Sequence, residues 1–72
     1  MRGKRRVRIH QLQGPSFEGI QIGRRPIGGH YVLIAAAALE QGDDLSIRKV
    51  PLDAEHVEIP AGRVVFIEVN PS

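Results

Sequence analysis

Three histidines, His10, His30 and His56, are the side chains best suited to holding a transition metal. Two ligands on one helical face need i, i+3 or i+4 spacing, and no pair of these has it. Cysteine is absent from the 72 residues, which removes thiolate ligands, cysteine nucleophiles and disulfides together. A hydrogen bond to a nearby carbonyl accounts for His30, which follows two glycines. No metal and no other cofactor is expected. The acids Asp43, Asp44, Asp53, Glu55 and Glu58 lack the regular oxygen spacing and closing glutamate of a calcium loop. They read as solvated turn acids. Ser16, Ser46 and Ser72 stand in no triad-like sequence context, so paired carboxylates have no nucleophile to serve. Gly23 to Gly29 is glycine-rich, but it lacks the Lys-Ser/Thr ending and following helix of a phosphate-binding loop. The chain is therefore not expected to be an enzyme.

Cations are the remaining chemistry. Arg2-Gly3-Lys4-Arg5-Arg6 places four cations in five residues, and Arg8, Arg24 and Arg25 follow. Residues 1–25 carry seven basic groups against the single acid Glu18, whereas residues 26–72 carry three against seven acids. The net charge of +2 thus conceals a chain that is polar along its length. Basic segments of this kind contact phosphate or the acidic face of a protein, and they also occur as solvated tails. Arg24 and Arg25 suit bidentate contact with either anion. Binders of single-stranded nucleic acid add exposed aromatic platforms to such charge. Only Phe17, Tyr31 and Phe66 are aromatic here, and Phe66 is expected in the core, which weakens the nucleic-acid reading.

The elements that must position these groups are short strands. Val7, Ile9 and Leu12 alternate with polar residues, and the late step indicates a bulge near Gln11. Gln13-Gly14-Pro15-Ser16 reads as a turn, and Phe17 to Ile22 as a second strand with a sharp bend at Gly19. After the Gly23–Gly29 loop, His30 to about Ala36 is a third strand, apolar on both faces from Tyr31 onward. The alanines from Ala35 to Glu40 read as the strand's end passing into a helical turn. Leu45–Val50, Val57–Ile59 and Val64–Val69 complete the set, with a tight Pro60–Arg63 connection before the last. Six short strands at this spacing predict an all-β fold, a small antiparallel barrel of five to six strands over residues 7–70. Residues 1–6 form an extended basic N-terminal arm in this reading. The core is aliphatic, and a chain of this length buries only about 60% of its unfolded surface, so association is expected to support it. No apolar run approaches the roughly 20 residues of a membrane span, no signal peptide is read, and no membrane partner is expected.

Ile59-Pro60-Ala61-Gly62-Arg63-Val64-Val65-Phe66-Ile67 resembles the second Sm motif, and Phe17-Glu18-Gly19 the aromatic-x-glycine bend of the first. The order of elements is similar to that of SH3/Sm-like small barrels. Departures are plain. Pro60-Ala61 stands where Sm proteins carry RNA-holding polar and basic residues, Gln13-Gly14-Pro15 replaces an Asp-Gly turn, and the usual N-terminal helix has no counterpart before Val7. Gly29-His30-Tyr31-Val32-Leu33 and Glu58-Ile59-Pro60 followed by Val64 to Val69 resemble segments of the small SH3-like barrels among tailed-phage virion structural proteins.

That resemblance implies a non-enzymatic structural module of a phage particle. It would be an accessory, decoration or minor capsid subunit located in the virion and assembled in the host cytoplasm. Its expected partner is a protein lattice such as a major capsid protein, with self-association also open. The expected partner-binding residues are Arg2, Lys4, Arg5, Arg6, Arg8, Arg24, Arg25 and Tyr31. The alternative is an Sm-like nucleic-acid-binding protein using the basic arm with Arg24 and Arg25.

Overall fold

The computed structural model describes residues 4–44 and 46–71. It is all-β: β1 (Lys4–Gln11), β2 (Ser16–Ile22), β3 (His30–Gln41), β4 (Ile47–Pro51), β5 (His56–Pro60) and β6 (Val64–Val69). A single 3-10 turn, Ala61–Arg63, links β5 to β6. All ladders are antiparallel, in the order β4-β3-β2-β1-β6, with β5 also on β3. The arm-to-barrel boundary expected after Arg6 falls inside β1, because Lys4, Arg5 and Arg6 pair with Ile22, Gln21 and Ile20. Arg2 and the expected strand start at Leu45 lie outside the described residues.

On β1 strand alternation sorts the side chains as the sequence indicates, whereas on β2 the slip at Gly19 buries Gln21 completely and leaves Ile20 36% exposed. Val7 and Ile9 are fully buried on the inner face, while Arg6 and Arg8 point outward from the same strand. The core cluster is aliphatic, formed by Val7, Ile9, Leu33, Ala36 and Ile59. Ile59 on β5 shares it with Val7 and Ile9 on β1, although those strands share no ladder, so the sheet wraps around its core. Among the described residues no ladder joins β6 to β4 or β5, so the expected barrel is open on that side.

Two irregularities shape the curl. The β1–β6 register slips between His10 and Gln11, at the position expected for a bulge, but the extra residue is Val65 on β6 and Leu12, past the end of β1, is exposed rather than turned inward. The β2–β3 register slips between Glu18 and Ile20. A Cβ on Gly19 would lie 2.9 Å from the Ile34 carbonyl oxygen and 3.1 Å from the Ala36 Cα, so only glycine fits the crossing backbones.

The expected helical turn over Ala35–Glu40 is not formed. β3 continues to Gln41, and Ala37–Gln41 pair with Pro51–Ile47. Six residues hold too few internal hydrogen bonds to repay helix nucleation, whereas β4 offers them a full ladder. Within β3, Ala35 takes a left-handed φ of 50°. That kink divides one edge of β3 between β5, on His30–Ile34, and β4, on Ala37–Gln41.

Candidate functional site

The outer face of β1 and β2 carries a charge cluster that the sequence reading did not assemble. Alternation at Arg6, Arg8 and Glu18 sets all three on this face, and β4 brings Lys49 to it from the far side of β3. Glu18 is 4% exposed. Arg8 Nη2 and Nε donate to its Oε1 at 2.8 and 3.3 Å, and Arg6 Nη2 donates to its Oε2 at 2.9 Å. Lys49 Nζ donates to the same Oε2. Burial alone would raise the carboxyl's pKa, but the bonds from Lys49, Arg6 and Arg8 outweigh it and bring it to about 2. Three cations on one carboxylate leave two positive charges in excess. A groove of about 440 Å³ is lined by Arg6, Glu18 and Lys49 together with the apolar Ile20, Ala35–Ala37 and Leu52.

A second network joins β1, β2 and β6. His10 Nε2 lies 2.6 Å from Glu68 Oε1, and His10 Nδ1 lies 2.9 Å from Ser16 Oγ. In the tautomer that donates from Nε2–H to Glu68, Nδ1 accepts a hydrogen bond from the Ser16 hydroxyl. The expectation that Ser16 lacks a triad-like context is corrected in space: strand register brings together residues 6 and 58 positions apart. The ring polarity is opposite to that of the serine-hydrolase triad, where the acid holds Nδ1 and the hydroxyl meets Nε2. Phe66 is corrected as well. It is 52% exposed and stacks on the His10 ring at a centroid distance of 4.3 Å, because its β6 position faces outward opposite His10.

The other expected residues are dispersed. Arg24 and Arg25 are exposed in the β2–β3 loop, where Gly28 and Gly29 take the left-handed φ of 60° and 82° that a side chain would resist. Lys4 is exposed at the start of β1. Arg5 turns inward and donates from Nε to the Oε1 of fully buried Gln21 at 3.4 Å. Tyr31 is half-buried and packs on the core. His30 Nδ1 lies 3.1 Å from the Gly28 carbonyl, the kind of bond expected of it. Asp44 accepts from the Ser46 hydroxyl and backbone N–H, which lower its pKa. Among the described residues there is no group of three or more metal-ligating side chains.

Glu18, Lys49, His10, Ser16 and Glu68 were missed as site residues. For Glu18 a signal exists: it is the only acid among seven cations in residues 1–25, and it sits on a strand. Comparison with protein-family models, curated proteins and solved structures finds no match to this chain.

Proposed function

We propose that this protein is a non-enzymatic structural module of a phage particle. It acts as an accessory or decoration subunit that docks on a protein lattice through its outer faces and its open sheet edge. The observation that carries the docking reading is β6. Val65, Phe66 and Val69 are 54%, 52% and 45% exposed on the terminal strand of an open sheet, in a chain with a five-residue buried apolar cluster. Exposed apolar side chains on an edge strand are a ready surface for another chain. The placement in a virion rests on the segments around Gly29–Leu33 and Glu58–Val69. The Ser16–His10–Glu68 chain reads as a pin between three strands in this picture.

The test is co-sedimentation. The chain should travel with intact particles through a density gradient in fixed stoichiometry, and Phe66→Asp should reduce that occupancy while leaving the monomer folded by circular dichroism. A chain absent from particles overturns the reading. A second reading, an Sm-like nucleic-acid binder using Lys4, Arg24 and Arg25, gains from the exposed Phe66 ring stacked on His10. It requires that the mass seen by light scattering shift with a mixed-sequence oligonucleotide at low salt and return at high salt.

A further inference from the structure

The cluster around Glu18 holds more positive charge than its own carboxylate can neutralise. Arg6 and Lys49 converge on one oxygen, Oε2, and Arg8 takes the other. Arg6 and Lys49 remain 57% and 50% exposed, so both keep donors free toward solvent. Packing three like charges against one carboxylate costs repulsion that a second anion would relieve. Such an anion would sit against Arg6 and Lys49 in the groove they line together with Glu18, Ile20, Ala35, Ala37 and Leu52.

We infer that this groove receives a glutamate or aspartate side chain on an extended aliphatic segment of a partner protein, its carboxylate held between Arg6 and Lys49. The inference rests on the protein-docking reading and names the chemistry of the partner. Two features select a protein segment over a nucleic acid. The groove's apolar lining is aliphatic, without an aromatic ring on which a base would stack. A nucleic-acid backbone carries no aliphatic side chains to set beside that lining, whereas alternating acidic and aliphatic side chains match both the cations and the apolar residues. Glu18 acts as a positioning residue: it gathers the cations from β1 and β4 and holds their side chains in place.

The test is a titration of the full chain, followed by amide chemical shifts. The probe is a capped hexapeptide alternating valine and glutamate, with its glutamine counterpart as control. Shifts are expected at Gly19, Ile20, Ala35–Ala37 and Leu52 with the glutamate peptide alone. Lys49→Gln should weaken binding about tenfold, the loss of one charge-assisted contact. Arg63→Gln removes the same charge from the exposed turn between β5 and β6, outside the groove, and should leave affinity unchanged. Arg6→Gln replaces Lys49→Gln if the latter does not fold. Equal binding of both peptides, no response at the groove, or unchanged affinity in Lys49→Gln overturns the inference. So does a mixed-sequence oligonucleotide that shifts the groove amides more strongly than the peptide. Shifts confined to Val65–Val69 would reject the groove and leave docking standing, whereas absence from particles rejects docking itself.

Discussion

At the scale of single residues, Glu18 governs the acid side of stability. Its carboxyl has a pKa near 4.5 when unfolded and about 2 when folded, so the unfolded chain binds more protons between those values. Stability is therefore full above about pH 4.5 and falls as the pH drops toward 2, by about 3 kcal/mol in total. Thermal unfolding followed by circular dichroism across that range should show the loss. Glu18→Gln should flatten the dependence and lower stability at pH 7 by about 3 kcal/mol, since three cations lose their shared partner. An equally steep acid dependence in Glu18→Gln would place its origin elsewhere. Strand parity made it predictable that Arg6 and Arg8 share a face. That Lys49, 31 positions beyond Glu18, joins them was not, because a lysine's partner depends on which strand lies beside it.

At the scale of elements, the paired irregularities at Gly19 and Ala35 set the path of β2 and β3. Gly19→Ala forces a Cβ against the Ile34 carbonyl and the Ala36 Cα, both backbone atoms that cannot swing aside. It should cost about 1–3 kcal/mol, read from urea unfolding midpoints. Ala35 holds a left-handed φ of 50° that disfavours any side chain, so Ala35→Gly should be neutral or stabilising by up to about 1 kcal/mol. A destabilised Ala35→Gly together with a tolerated Gly19→Ala would contradict this geometry. The bend at Gly19 was legible because glycine inside a strand pattern has few other uses. The strand over Ala36–Gln41 was not, because alanine's local preference for helix is overruled by a ladder with β4 that closes only in the folded sheet.

At the scale of the whole molecule, stability rests on few side chains. A chain of this length is expected to hold roughly 4–10 kcal/mol. Leu33 is fully buried at the centre of the cluster, and Leu33→Ala should cost about 2–5 kcal/mol, a large share of that total. Phe66→Ala, at an exposed site, should cost about 1 kcal/mol or less. Denaturant melts of the two variants check the contrast. A larger loss at Phe66 than at Leu33 would mean that β6 closes on itself more tightly than its open edge indicates.

Period-two alternation, turn residues and the absence of cysteine were enough to determine an all-β antiparallel fold, five of its six strands closely, and an aliphatic core. Those are local properties: the inward face of β1 follows from its own parity, and each turn from its own glycine or proline, whereas on β2 and β6 the register slips bury Gln21 and turn Ile20 and Phe66 outward. Tertiary structure alone decided which strands meet. The carboxylate under three cations, the Ser16–His10–Glu68 chain and the outward Phe66 all depend on contacts between distant residues, and on a register no single segment encodes. The open edge at β6 belongs to the same class, because a strand becomes an edge only once its neighbours have been placed.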